Sequence, residues 1–239
     1  MSPDRTEAAL RLRRARHVVA FTGAGISAES GVPTFRGPQG LWKNYRPEDL
    51  ANPIAFERDP ELVWEWYRWR QSIVQGCEPN AGHRALVDLA GKVARTSLIT
   101  QNIDGLHERA GSSPVVELHG NIWKTRCTKE GTVRPFQGEL RCQCGAWLRP
   151  HIVWFGEALD RATLEDAFQA ARTCDVLLAV GTSALVAPAN MLPLLARSAG
   201  GTVIEVNLEP TPLTAQADFF LKGPAGEVLP ELVRRAFPS

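Results

Sequence analysis

The stretch VVAFTGAGISAESGVPTFRG, residues 18–37, decides the fold. A short apolar run leads directly into Gly23-Ala24-Gly25-Ile26-Ser27-Ala28, a form of the G-x-G-x-x-G/A sequence that joins a strand to a helix in dinucleotide-binding folds. Glycines here permit a tight turn and let the backbone approach a pyrophosphate at the N-terminus of the next helix. A tight turn without a ligand gives the same pattern, so this stretch alone leaves the ligand open.

Four further apolar, β-branched runs predict that the first strand belongs to a parallel sheet. They are SLITQN at 97–102, VVELHG at 115–120, DVLLAVG at 175–181 and TVIEVN at 202–207. Intervening segments, such as 82–94 and 164–174, have the length and periodicity of crossover helices. The predicted fold class is α/β, with a Rossmann-like, doubly wound parallel sheet.

Two stretches interrupt this alternation and predict a second, smaller domain. Residues 37–80 are rich in Trp, Arg and Pro and form a predicted helical insert, whereas residues 121–150 carry three cysteines and resemble a small module that is, or once was, held together by a metal ion. The Rossmann-type domain is then assembled from the three remaining segments, 1–36, 81–120 and 151–239.

The composition excludes several classes of protein. A net charge of +1 supplies no excess of cations to neutralise nucleic-acid phosphates, and no segment has the roughly 20 consecutive apolar residues that span a bilayer. The opening residues lack the apolar core and cleavage site of a signal peptide. Five cysteines, three of them clustered, suit a reducing compartment and a metal site better than a disulfide framework. We therefore expect a cytoplasmic protein with no nucleic-acid or membrane partner.

Polar residues follow the predicted strands at their carboxyl ends, where ligands bind in doubly wound sheets. The usual acidic residue about 20 positions after the glycine turn is missing, which disfavours a plain dehydrogenase. Asn207 and Glu209 are placed to contact an adenosine ribose instead, although turn formation alone also explains such residues.

Six motifs then occur in one order over nearly the whole chain, and together they resemble the sirtuin family. They are GAGISAESGVPTFRG at 23–37, TQNIDGLHERAG at 100–111, ELHGN at 117–121, RPHIVWFGE at 149–157, VGTS at 180–183 and VNLEP at 206–210. The resemblance implies a Rossmann-type NAD-binding domain, a small domain with a helical and a zinc-ribbon part, and acyl-lysine proteins as substrates. It implies removal of the acyl group from lysine, with release of nicotinamide and O-acyl-ADP-ribose.

The resemblance also implies which residues bind NAD. They are Gly23, Ala24, Gly25, Ser27, Ala28, Phe35, Arg36, Gln101, Asn102, Ile103, Asp104, Gly181, Thr182, Ser183, Asn207, Leu208, Glu209 and Ala225. Phe35 and Arg36 are expected in a lid that closes over NAD and excludes water from the reactive intermediate, the alternative being an ordinary surface loop.

His119, Asn102 and Asp104 are the predicted catalytic residues. His119 stands at the end of a predicted strand, and an imidazole, with an ordinary pKa of about 6.5, can accept a proton from a ribose hydroxyl near neutral pH. Asn102 and Asp104 are predicted to anchor the nicotinamide ribose and carboxamide. The acyl oxygen is a weak nucleophile, so accurate positioning of the reacting groups must supply much of the rate acceleration. The remaining histidines are interpreted as structural: His17, His83, His107 and His151.

Tyr67 and Arg70 predict an acidic acyl group. On a helix, residues three apart share a face, so a phenol and a guanidinium can bind the distal carboxylate of a succinyl group together, as in desuccinylase-type sirtuins. The alternative is an amphipathic helix with solvated arginines. Acetyl removal is also expected, because the smaller group fits. The peptide backbone is predicted to pair with a strand at 151–157, through Val153, Phe155, Gly156 and Glu157.

The predicted zinc site departs from the family pattern of two cysteine pairs. Cys142 and Cys144 form one pair, but Cys127 stands alone, so one thiolate is missing. Structural zinc normally needs four ligands, and Glu130 is the candidate for the fourth; weak binding or loss of the metal are the alternatives.

Two other functions are compatible with these motifs. A sirtuin-like mono-ADP-ribosyltransferase would use the same NAD site on another acceptor, and a non-catalytic protein would bind NAD or acyl-lysine without turnover. The presence of His119, Asn102 and Asp104 favours deacylation over the non-catalytic alternative.

Overall fold

Six parallel strands form the central sheet of the computed structural model, which describes residues 3–33 and 45–238. A second sheet contains three more strands of the described residues. In chain order the strands of both sheets are β1 His17–Thr22, β2 Arg95–Thr100, β3 Val115–Glu117, β4 Gly120–Cys127, β5 Val133–Pro135, β6 Leu148–Ile152, β7 Val176–Val180, β8 Thr202–Asn207 and β9 Phe219–Lys222. The order in the large sheet is β3-β2-β1-β7-β8-β9, so the winding reverses between β1 and β7. The predicted doubly wound sheet is confirmed, with β9 as an additional edge strand.

Helices cover both faces of this sheet. In chain order the helices of the described residues are α1 Pro3–Arg14, α2 Ala24–Ala28, α3 Pro47–Leu50, α4 Pro53–Arg58, α5 Pro60–Gln75, α6 Ala81–Ala90, α7 Leu106–Ala110, α8 Arg161–Thr173, α9 Met191–Ser198 and α10 Ala225–Ala236. Of these, α3, α4 and α5 pack in a separate hydrophobic core away from the large sheet. Successive side chains of a strand point to opposite faces. Val18 and Ala20 of β1 accordingly pack with α1, α6 and α10, while Val19 and Phe21 pack with α8 and α9.

Pro47, Pro53 and Pro60 of the predicted helical insert begin helices rather than prevent them. Asn52 precedes Pro53 and accepts a hydrogen bond from the Ala55 N–H at 2.8 Å, and Asp59 precedes Pro60 and caps α5 in the same way. Proline is well tolerated at the first helical position because the N–H group that it lacks has no partner within the helix there.

The second sheet is antiparallel, in the order β5-β4-β6, and packs against α4 and α5. In its register Cys127 of β4 lies opposite Leu148 of β6. The Trp64 indole of α5 donates a hydrogen bond to the Leu148 carbonyl at 2.7 Å and stacks on Phe136 at 4.7 Å. The described parts of the two predicted inserts therefore share one hydrophobic core; the exact domain boundaries stay a prediction.

The strand predicted at 151–157 is wrong over most of its length. Strand β6 runs from Leu148 and ends at Ile152. The chain then turns: the Glu157 N–H donates to the Trp154 carbonyl at 3.0 Å, and Gly156 has a φ of 86°, which interrupts an extended strand.

Within residues 3–33 and 45–238, no helix is both long and apolar enough to cross a membrane.

Candidate functional site

The predicted site residues converge at one edge of the large sheet. Because β2, β1, β7 and β8 are adjacent and parallel, the turns that follow them lie side by side. These turns begin at Gly23, Gln101, Gly181 and Leu208. The reversal of strand order between β1 and β7 opens a crevice at this edge, which is where doubly wound sheets bind ligands.

Glycines are required where the turns after β1 and β7 meet. The Gly25 N–H donates to the Gly181 carbonyl at 2.8 Å, and a Cβ on Gly25 would lie 2.6 Å from the Gly181 Cα. A Cβ on Gly23 would lie 2.8 Å from the Gly181 oxygen, and Gly181 itself has a φ of 58°. The first two glycines of the fingerprint thus allow two backbones to touch, a role that the sequence pattern alone did not reveal.

A hydrogen-bonded network fixes the residues after β2 against the glycine turn. The Asn102 amide donates to Ser27 Oγ and to the Gly23 carbonyl, both at 3.1 Å. Ser27 Oγ in turn donates to Asp104 Oδ2 at 2.8 Å. Burial raises the pKa of the Asp104 carboxyl, and hydrogen bonds from the Leu106 N–H and from Ser27 act in the opposite direction. The predicted pair Asn102 and Asp104 is therefore held in one orientation beside the crevice.

Two buried histidines lie directly beneath this network. His83 Nε2 is 3.5 Å from Ser27 Oγ, His107 Nε2 is 2.9 Å from Thr22 Oγ1, and the two rings are 4.9 Å apart. Burial lowers the pKa of His83 to about 4 and that of His107 to about 3, so both are neutral at pH 7. The sequence pattern gave no sign of this pairing, since it depends on α6 and α7 meeting in space.

His119 lies at the same edge, just after β3. Its Nδ1 is 2.9 Å from the Gln101 carbonyl oxygen. Because a carbonyl only accepts hydrogen bonds, Nδ1 carries the proton, and Nε2 is the nitrogen that can accept one. The Gln101 side chain donates to Thr182 Oγ1 at 2.8 Å, which connects the turns after β2 and β7.

The remaining residues that are predicted to bind NAD differ in how exposed they are. Thr182 is buried, and its carbonyl accepts from the Asn207 amide at 2.9 Å, with Ser183 next to it on the chain. Leu208 and Glu209 are exposed, and Glu209 pairs with Lys222 at 3.0 Å. At the same edge or beside it lie Ala24 and Ala28 in α2, Ile103 after β2 and Ala225 at the start of α10. Phe35 and Arg36 lie outside the described residues.

Tyr67 and Arg70 come together on α5, as predicted. The Trp154 indole donates to the Tyr67 hydroxyl at 2.9 Å, and the Arg70 guanidinium carbon lies 5.6 Å from the centre of the Tyr67 ring. Burial lowers the pKa of Arg70, while the charges of Tyr67 and Asp104 oppose this shift. Gln71, next to Arg70 on α5, donates to the Ile122 carbonyl at 2.7 Å, and the Ile122 N–H donates to the Ile103 carbonyl at 2.9 Å, which connects this part of α5 to the residues after β2.

The turn after β6 holds the residues predicted to contact the peptide. The Val153 N–H donates to the His119 carbonyl at 3.0 Å, and Phe155 is 57% exposed. Glu157 forms two hydrogen bonds with Arg149, at 2.6 and 2.8 Å, and accepts another from the Trp154 N–H. The Glu157 carboxylate therefore stabilises this turn. Contacts of Val153, Phe155, Gly156 and Glu157 with a peptide substrate stay a prediction.

Four potential metal ligands cluster at the end of the second sheet. The ligand atoms of Cys127, Glu130, Cys142 and Cys144 all lie within 4.8 Å of one another, with the sulfurs of Cys127 and Cys144 3.5 Å apart. Tetrahedral zinc accepts both thiolates and carboxylate oxygens as ligands. This donor set fits zinc, and Glu130 occupies the place of the missing fourth cysteine.

Comparisons with known proteins agree with this arrangement. The sequence profile of the Sir2 family matches residues 23–188. NAD-dependent protein deacylase 2 of Pyrobaculum aerophilum is 54% identical over 228 residues, which are 93% of this chain and 92% of that protein. A solved Sir2 homologue mutant in complex with 2'-O-acetyl ADP ribose has a TM-score of 0.90 and 46% identity, covering 99% of this chain and 96% of that chain. A Sir2 homologue solved with NAD has a TM-score of 0.89 and 47% identity, covering 96% of this chain and 93% of that chain.

Fold and site together define an NAD-linked member of the doubly wound α/β proteins. The chain belongs to the Sir2 family, the sirtuins, which confirms the resemblance noted in its motifs.

Proposed function

We propose that this protein is an NAD-dependent protein-lysine deacylase, which uses NAD and water to transfer the acyl group from lysine to ADP-ribose and releases nicotinamide and the free lysine. The observation that carries the proposal is the position of His119. Its hydrogen bond to the Gln101 carbonyl sets Nε2 as the basic nitrogen, at the sheet edge that also holds the network of Asn102, Ser27 and Asp104. The deacylase relative and the solved complexes with NAD and acetyl-ADP-ribose support this assignment.

Each group in this network has a defined part in the proposed reaction. NAD supplies the ribose carbon that receives the acyl oxygen as nicotinamide leaves. Asn102 and Asp104 hold the nicotinamide ribose and carboxamide in place, since the weak acyl nucleophile depends on accurate alignment. His119 Nε2 accepts a proton from a ribose hydroxyl. The glycine turn and residues 181–183 and 207–209 bind the remainder of NAD.

The acyl group that we propose carries a carboxylate, as in succinyl-lysine, with acetyl-lysine also accepted. The phenol oxygen of Tyr67 accepts a hydrogen bond from Trp154, so its own O–H can donate to another acceptor. A ligand carboxylate is such an acceptor, and the Arg70 guanidinium matches its charge. The hydrogen-bonded link from Gln71 through Ile122 to Ile103 supports an acyl site next to the proposed NAD site.

Zinc has a structural part in the proposal. Cys127, Glu130, Cys142 and Cys144 would hold the ion and stabilise the second sheet, with no ligand position needed for chemistry. The five cysteines are all unbridged, which supports a reducing compartment, and we propose the cytoplasm.

The experiment is a mass-spectrometric assay of matched succinyl-lysine and acetyl-lysine peptides, with and without NAD. We expect NAD-dependent loss of the acyl mass, together with equal amounts of nicotinamide and O-acyl-ADP-ribose. An ADP-ribose adduct on the peptide or on the protein would identify a transferase instead, and NAD binding without any product would identify a non-catalytic binder. Turnover of acetyl-lysine alone would retain the enzyme class and overturn the acidic acyl pocket.

A further inference from the structure

The indole N–H of Trp66 is buried without a hydrogen-bond partner among residues 3–33 and 45–238. Other indoles around the same core behave differently. Trp64 donates to the Leu148 carbonyl at 2.7 Å, Trp123 donates to the Asp104 carbonyl at 2.8 Å, and Trp154 donates to the Tyr67 hydroxyl at 2.9 Å. A buried donor that lacks an acceptor destabilises a folded protein, so each such group calls for an explanation.

Trp66 lies against the two residues that are proposed to bind the acyl carboxylate. Its ring is 4.7 Å from the Tyr67 ring in an edge-on arrangement. The Arg70 guanidinium carbon lies 4.9 Å from the centre of the Trp66 ring, one helical turn along α5. Trp66 itself is 0% exposed. Trp66 therefore contacts both residues of the proposed acyl site, and a carboxylate bound by them would lie close to this indole.

We propose that Trp66 is a specificity-determining residue, whose indole N–H donates a third hydrogen bond to the terminal carboxylate of a dicarboxylic acyl group on lysine. This inference rests on the proposed function. The carboxylate then accepts hydrogen bonds from the Tyr67 hydroxyl, the Arg70 guanidinium and the Trp66 N–H. The face of the same indole makes a cation–π contact with the guanidinium. A carboxylate has lone pairs for all three donors. An acetyl group carries no acceptor that could reach Trp66.

The test compares two substitutions on the same helix, Trp66→Phe and Trp64→Phe. Each removes one indole N–H from the same core, but the N–H of Trp64 is already engaged by Leu148 and does not face a ligand. The substrates are one peptide carrying succinyl-lysine and the same peptide carrying pentanoyl-lysine, which has a chain of similar length and no carboxylate. The measured quantity is the ratio of the two kcat/KM values. Because it is a ratio, a general loss of folded enzyme cancels.

We expect Trp66→Phe to lower the succinyl-to-pentanoyl ratio by roughly tenfold, the typical effect of losing a hydrogen bond to a charged group. Trp64→Phe should leave this ratio at the wild-type value. An unchanged ratio in Trp66→Phe, with wild type still preferring succinyl, would overturn the role of Trp66 alone. A wild type that shows no preference for succinyl would instead overturn the acidic acyl pocket, and the inference with it.

A second replacement keeps the shape of the indole. Incorporation of β-(3-benzothienyl)alanine at position 66 exchanges the N–H for sulfur and retains the two fused rings. If Trp66→Phe fails to fold, the protein with this residue at position 66 is compared with wild type by the same succinyl-to-pentanoyl ratio. A lowered ratio supports the hydrogen bond, and a wild-type ratio refutes it, since packing is preserved.

Discussion

The buried pair His83 and His107 predicts a specific loss of stability in mild acid. Both side chains are fully buried, and burial lowers their pKa values to about 4 and about 3. In the unfolded chain each imidazole has its ordinary pKa of about 6.5. Between pH 6.5 and these lower values the unfolded chain binds more protons than the folded one, so the free energy of unfolding falls as the pH falls.

The size of the effect follows from these pKa values. At pH 5 a histidine with a folded pKa of 4 or below and an unfolded pKa of 6.5 costs the folded state about 2 kcal/mol relative to pH 7. The two histidines together are expected to remove about 4 kcal/mol, a large fraction of the stability of a typical domain.

Urea unfolding of wild type and of His107→Gln at pH 7, 6 and 5 measures this contribution. Because other groups titrate in the same window, the informative quantity is the difference between the two proteins. The variant should lose about 2 kcal/mol less than wild type between pH 7 and pH 5. His83→Gln should give a difference of the same size. Equal pH dependence in wild type and both variants would refute the reasoning, because it would mean that the histidines are already accessible to protons in the folded state.

Three further outcomes are expected. His119→Ala should lower kcat/KM for deacylation by roughly 10²–10⁴-fold while NAD still binds by calorimetry; normal turnover would show that the base lies elsewhere. Arg70→Met should lower the succinyl-to-acetyl ratio of kcat/KM by about tenfold or more, and an equal fall on both substrates would contradict a carboxylate contact. Purified protein should contain zinc by elemental analysis, Glu130→Ala should bind it more weakly, and a chelator should lower the melting temperature of wild type; a metal-free wild type with unchanged melting would contradict the site.

The large sheet was predictable because its central strands, β1, β7 and β8, are buried on both faces. The runs around Val18, Leu98, Leu177 and Val203 are continuous, β-branched and separated by helical segments, which is the pattern of a parallel sheet. Strand β9 escaped prediction because Phe219–Lys222 is a short edge strand with little pattern of its own. The prediction of a strand at 151–157 was wrong because the apolar residues of this segment resemble those of a strand. The positive φ of Gly156 and the hydrogen bond from the Trp154 N–H to the Glu157 carboxylate produce a turn instead.

The sequence predicted which segments of the chain meet at the site, but it did not predict the contacts between their side chains. Parallel strands bring their carboxyl ends to one edge, so Asn102, Thr182 and Asn207 were expected near each other before any distance was known. The partners of these residues were not predictable, because they depend on how helices meet in space. The contact of His107 with Thr22 is one example. Trp66 is another, since a tryptophan on an amphipathic helix gives no indication of whether its N–H finds an acceptor.

The register of the second sheet connects the metal ligands to the acyl pocket. Cys127 pairs with Leu148, whose carbonyl accepts the indole N–H of Trp64 on the helix that carries Tyr67 and Arg70. The stability of α5 is therefore expected to respond to zinc supply. A chain made under zinc limitation should retain the NAD-binding turns, which are built on the other sheet, while the second sheet and α5 lose stability together.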